Sequence, residues 1–149
     1  MRVKQFRNLQ VWQKAMGLAR EVYRITKTFP KEEMFGLTGQ MRRAAVSVPS
    51  NIAEGQGRLT DKAFSLFLGH SRGSLFELET QAELAESLGY MKNEQLDELL
   101  AASSEVGRML NGLLNSMKEV NGGWRGWVRL AVLSLAALSL TAHPTSYTS

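Results

Sequence analysis

Among the residues that could do chemistry, six cations stand out: Arg20, Arg24 and Lys27 at 4,3 spacing, the pair Arg42-Arg43, and Arg58. On a helix the first three form one stripe, where guanidinium and ammonium groups can neutralise consecutive phosphates. Binding of that kind is independent of sequence and falls steeply with salt. The pattern shows no aromatic platform for single strands and no recognition-helix motif, so the contact it predicts is electrostatic, with structured RNA or another nucleic acid. Three or four charges on one subunit bind feebly, and a ring of identical subunits multiplies the effect through avidity. The competing reading is a protein-binding or structural adaptor whose charged faces serve self-assembly. Residues 1–58 hold 11 Lys/Arg against 4 Asp/Glu, while residues 59–120 hold 5 against 10. These two halves can face each other within a subunit or between subunits.

Catalytic constellations are missing from the pattern. The chain has no cysteine, which removes disulfides, thiolate nucleophiles and thiolate metal sites. The two histidines, His70 and His143, are far apart in sequence. Glu77, Glu79, Glu83 and Glu86 cluster on one segment, but no Glu is followed three residues later by His, as a ferritin-like di-metal bundle requires. At helical spacing they read as a solvated or inter-subunit charged face. Glu54-Gly55-Gln56-Gly57-Arg58 contains a Gly-x-Gly but neither a third glycine nor a preceding strand, so it reads as a turn between helices. The expectation is a protein that is not an enzyme, with no metal, no cofactor and no small-molecule substrate.

Four helices would position these residues. Leu9, Val11, Trp12, Ala15, Leu18, Ala19, Val22, Ile25 and Phe29 share one half of a helix, with Asn8 as its N-cap and Phe29-Pro30 as its end. A second helix is expected after Lys31, helped by Glu32 and Glu33, with apolar positions Phe35, Leu37, Met41, Ala44, Ala45, Val48 and Ile52. Pro49 predicts a kink in it, and Gly55 and Gly57 its end. A third helix capped by Thr60 or Asp61 carries the stripe Phe64, Phe67, Leu68, Ser71, Leu75, Leu78, Ala82 and Ala85, and stops at Leu88-Gly89. Ser65, Gly69 and Gly73 beside that stripe imply close approach of another helix. Leu66, Phe76, Leu84 and Leu88 make a second, weaker apolar stripe, which serves either a broad intramolecular core or, the preferred reading, a subunit interface. Asn93 caps a fourth helix with a 3,4 repeat from Leu96 to Met117, ended by Asn121-Gly122-Gly123. Short connections make the expected fold all-α, an antiparallel up-down-up-down four-helix bundle over residues 1–120.

Residues 121–149 stand apart as an atypical C-terminal extension. Trp127 to Leu140 is an apolar run containing Arg129, too short for a membrane span of about 20 residues. His143 to Ser149 reads as disordered. Met1 to Trp12 lacks the apolar stretch of a signal peptide. With the absence of cysteine, this places the expected protein in the cytoplasm.

The run Phe6-Arg7-Asn8-Leu9-Gln10-Val11-Trp12-Gln13-Lys14-Ala15 resembles the opening of the four-helix-bundle proteins encoded in 23S ribosomal RNA intervening sequences. Gln40 through Gly55, with Arg42-Arg43-Ala44-Ala45-Val46-Ser47-Val48-Pro49-Ser50-Asn51-Ile52-Ala53-Glu54 at its heart, is similar to that family's signature. Ser71-Arg72-Gly73-Ser74-Leu75, Glu77-Leu78-Glu79-Thr80-Gln81 and Leu88-Gly89-Tyr90 resemble its third helix. The resemblance covers roughly residues 5–118 and implies an antiparallel bundle that assembles with itself, as a pentameric ring. Accessory proteins of diversity-generating retroelements are distantly similar, which implies a reverse-transcriptase-like protein and nucleic acid as partners. The signature offers Arg42, Arg43, Asn51 and Glu54 as polar candidates. Their structural alternative is that Asn51 and Glu54 satisfy backbone near Pro49, and that Arg42 or Arg43 pairs with third-helix acids.

Overall fold

A computed structural model describes the backbone of residues 6–139 and the side chains of residues 6–117. The described residues are helical, with no strand. Four α-helices follow in order: α1 (Gln10–Thr26), α2 (Leu37–Gly57), α3 (Asp61–Ser87) and α4 (Asn93–Ser139). Residues 1–114 form one compact unit and residues 115–149 a second. The first unit is the four-helix bundle. In the second, α4 runs on to Ser139, through Asn121-Gly122-Gly123, where the sequence predicts a stop. A glycine in a helix interior costs only about 1 kcal/mol relative to alanine, which does not by itself end a helix. The expected disorder of His143 to Ser149 lies outside the described residues.

The core follows the apolar stripes. Val11, Ala15, Leu18, Val22 and Ile25 of α1 are buried against Met41, Ala45, Val48 and Ile52 of α2, with Leu68, Leu75, Leu78 and Ala82 of α3 and Leu99, Val106 and Leu110 of α4 completing the interior. Contacts between helices pair rising numbers on one with falling numbers on the next. The Ser74 hydroxyl meets Ser47, Ser71 meets Val48, and the Phe67 and Phe64 side chains pack on Gly55. Glu79 meets Ser103, and Arg72 meets Asn111. Lys14 pairs with Glu105 at 3.0 Å, while Arg24 lies in the field of Glu98. The neighbours are therefore antiparallel.

Helix ends differ in detail from the sequence expectations. The residue before α1 is Leu9, not Asn8, and it has no side-chain cap. A 3-10 turn at Phe6–Asn8 precedes it, tied down by the Gln13 amide donating to the Arg7 carbonyl at 2.9 Å. Lys31–Met34 forms a separate 3-10 turn, so α2 begins only at Leu37. Glu33 still serves the helix's positive end: its Oε2 accepts from the Leu37 N–H at 2.8 Å. Phe35 falls in the connection and is 95% exposed, so it is not a core residue. The α2 helix continues through the buried Pro49 to Gly57. Thr60 caps α3 as expected, accepting from the Ala63 N–H at 3.2 Å. Gly89, at φ 76°, turns the chain out of α3, and its N–H donates to the Glu86 carbonyl at 2.8 Å. Asn93 is the first residue of α4 and not its cap; the preceding Lys92 N–H donates to Gln95 Oε1 at 2.9 Å, half of a capping box.

Candidate functional site

Between the buried row of α1 and its basic stripe runs a third row: Trp12, Met16, Ala19 and Tyr23, at 4,3,4 spacing. Opposite it, α2 presents small side chains, with Val46, Pro49, Ser50 and Ala53 facing these larger ones. The mismatch in size leaves an open groove of about 630 Å³, closed at one end by Phe6 and bordered by Arg20, Arg24 and Lys27. That volume lies within the range of ordinary ligand sites. No Asp or Glu lines it. Past Tyr23 and Val46, which the two hollows share, a second cavity of about 460 Å³ adds Met34, Gly39, Arg42, Arg43 and Ser47.

The rings at the two ends carry cations of their own. The Phe6 and Trp12 rings meet edge to face at 5.3 Å, and the Arg7 guanidinium sits 4.6 Å from the Phe6 centroid. Tyr23 is 43% exposed, with the Arg42 guanidinium 4.7 Å above its ring. Arg42 is held there by a 2.9 Å hydrogen bond from its Nε to Thr26 Oγ1, and the Thr26 hydroxyl in turn donates to the Val22 carbonyl at 2.8 Å. Sequence reasoning missed this aromatic component, because Trp12 was assigned to the core and Tyr23 belonged to no stripe.

Five of the six cations singled out from the sequence therefore share one side of the bundle: Arg20, Arg24, Lys27, Arg42 and Arg43. Among the described residues, Arg20, Lys27 and Arg43 have no ion-pair partner. Arg24 is engaged. Its Nε donates to Glu21 Oε2 at 2.9 Å and its Nη2 reaches Oε1. Hydrogen bonding to Arg24 holds the Glu21 carboxyl below its ordinary pKa, and the same contact raises that of Arg24. Arg58 lines neither cavity. It pairs with Glu54 at 2.6 Å and lies 5.1 Å over the Phe67 ring.

The signature residues divide in the same way. The Asn51 amide donates to the Ser47 carbonyl at 2.9 Å and to the Ser47 hydroxyl at 3.0 Å. Ser47 also accepts from Ser74 at 2.9 Å, so Asn51 belongs to the α2–α3 seam two residues past Pro49. Glu54 is occupied by Arg58. Neither Arg42 nor Arg43 pairs with an acid of α3, where Glu79 accepts from the buried Ser103 at 2.5 Å and Glu77 from Gln81 at 3.1 Å.

The expected close approach at Gly69 and Gly73 does not occur within the subunit. A Cβ at either would meet nothing within 4 Å. Leu66, Phe76, Leu84 and Leu88, all about half exposed, lie on that side of α3. Among the described residues, no group of three or more His, Cys, Asp or Glu could hold a metal ion, and no helix is long and apolar enough to cross a membrane.

Comparison with known proteins adds two findings. The chain is similar in fold to a crystallised protein of unknown function from the S23 ribosomal protein family of Bacteroides thetaiotaomicron. That protein is 22% identical, with a TM-score of 0.65 over 70% of this chain and 97% of the other. A comparison with curated proteins returns no match. The family model for the 23S rRNA-intervening sequence protein matches residues 7–112, and neither description names a catalytic activity. With well over half its length matched and the same helical fold, the chain belongs to the 23S rRNA-intervening sequence protein family.

Proposed function

We propose that this chain is a non-enzymatic, homo-oligomeric module that contacts RNA through α1 and α2. The observation that carries this reading is the convergence of Arg20, Arg24, Lys27, Arg42 and Arg43 around a groove lined by no carboxylate. All of these cations but Arg24 lack an ion-pair partner among the described residues, and a phosphate can take Arg20, Lys27 and Arg43 without breaking an existing contact. Self-association is supported by α3, whose half-exposed Leu66, Phe76, Leu84 and Leu88 flank two open glycines and leave apolar surface for a second copy. A ring of subunits, which the family resemblance implies as a pentamer, would repeat the basic face around its perimeter. The apolar floor of the groove favours a second reading, an adaptor that receives an amphipathic protein segment.

A salt titration of RNA binding tests the first reading. Unpaired RNA loses affinity with a log–log slope of about 0.7 per phosphate neutralised. Replacing Arg20, Arg24 and Lys27 by Ala should therefore reduce the slope by about 2 while leaving the oligomer intact. A slope near zero for the unmodified protein, or dissociation of the triple variant into monomers, would count for the adaptor.

A further inference from the structure

We propose that the α1–α2 groove is a binding site for unpaired nucleotides, with bases laid on Trp12 and Tyr23 and phosphates held along Arg20, Arg24 and Lys27. The proposal rests on the RNA reading and specifies the class of RNA. A duplex presents phosphates at its surface and keeps its bases stacked inside, and the major groove of A-form RNA is too narrow for side chains to read. A duplex would satisfy the cations on the border of this groove and leave its recessed apolar floor empty. An unpaired base can do both, because its face is apolar enough to stack while its phosphate stays at the rim.

The layout fits a short single strand. Trp12 and Tyr23 are eleven residues apart on one helix, hence about 16 Å along its axis, and Arg20 to Lys27 spans about 10 Å beside them. Each ring already has an arginine nearby, Arg7 at the Phe6–Trp12 pair and Arg42 over Tyr23, a combination that suits stacked bases. The continuation past Tyr23 to Arg43 gives the strand an exit. The floor offers little to read base identity. Its aliphatic hydroxyl, Ser50, already donates to the Val46 carbonyl at 2.8 Å, and the other hydroxyl belongs to the stacking ring of Tyr23. The site is accordingly indifferent to sequence.

The test uses the full chain and three fluorescent probes at one salt concentration: oligo(U), oligo(A) and an RNA duplex of equal length. The two oligomers should bind within a few-fold of each other and at least about 10-fold more tightly than the duplex. Trp12→Ala and Tyr23→Ala should each weaken the oligomers by about 10-fold while the salt slope holds, and Trp12→Phe should restore most of the loss. Retention of the duplex affinity in each variant, with an unchanged circular dichroism spectrum, excludes simple unfolding. If the duplex binds as well as the oligomers, or Trp12→Ala changes nothing while the salt slope persists, the groove proposal fails and the RNA reading survives. If no probe binds at any salt, both fail. Capture of an acidic amphipathic helical peptide, lost in Trp12→Ala, would then reassign the groove to protein.

Discussion

Replacing Gly55 by alanine should destabilise the bundle, although alanine is the better helix former. Gly55 is buried near the end of α2, and an added Cβ would stand 2.6 Å from the Phe67 Cβ and 2.9 Å from Phe64 Cδ2. Ordinary carbon contacts begin at about 3.5 Å, so α2 and α3 would have to part locally by about 0.9 Å. A Cβ is fixed to its backbone, so Phe67 can yield only if α3 moves. Overpacking of this kind costs about 1–3 kcal/mol, and the gain in helix propensity returns at most about 1 kcal/mol. The net loss should be about 1–2 kcal/mol, or roughly 3–10 °C in Tm for a bundle of this size. Gly17 supplies the control, since a Cβ there meets nothing within 4 Å and Gly17→Ala should raise Tm slightly. Thermal melts followed by circular dichroism would decide it. A Gly55→Ala protein that melts at or above the unmodified one would refute the reasoning that this glycine sets the α2–α3 spacing.

Four further outcomes can be measured. The Thr38 hydroxyl is buried without a hydrogen-bond partner among the described residues, so Thr38→Val should be neutral or stabilising by up to about 1 kcal/mol in a urea melt. Glu21→Gln should remove the carboxylate that competes with phosphate for Arg24 and tighten RNA binding a few-fold at low salt, with the salt slope unchanged. Because Arg24 holds the Glu21 carboxyl below its ordinary value, their mutual stabilisation is complete above the unfolded carboxylate pKa of about 4.3 and is lost as pH falls through the lowered folded value; a pH melt series should show the Glu21→Gln and unmodified proteins converging only in acid. Phe76→Lys, on the open face of α3, should reduce the mass seen by light scattering with subunit stability changed by no more than about 0.5 kcal/mol.

The helical stripes were legible because burial imposes a period. Val11 to Ile25, Leu37 to Ile52 and Leu68 to Ala85 repeat at 3,4 spacing, and apart from Trp12 the residues expected inside are inside. What misled were residues whose meaning depends on a neighbour in space. Phe35 looks like the start of an apolar row, but the chain between Pro30 and Gly36 turns as a 3-10 segment, so the phenylalanine leaves the helix altogether. Gly69 and Gly73 have the spacing of a close helix contact, yet the contact is made by Gly55 on the other partner, whose glycine-rich surroundings read only as a helix end. The basic side of the site was visible as charge. Its aromatic side was not, because Trp12 is half-buried on the flank of the core row and Tyr23 acquires a role only once α2 places Val46 and Pro49 across from it. The row Trp12, Met16, Ala19, Tyr23 was the available signal, at helical spacing between two better-marked stripes.

Leu59, in the connection from α2 to α3, is 98% exposed, an open target for a protease that cuts after large apolar residues. A single scission there partitions the chain by role. Every residue of the groove and its basic border falls on the first fragment, and the open face of α3 on the second. Substitutions can therefore accumulate in one hairpin without touching the surface residues of the other. On the proposed reading, divergent members can alter what the groove holds while keeping how subunits meet, or the reverse, and split or hybrid chains joined at this point offer a direct way to exchange one property at a time.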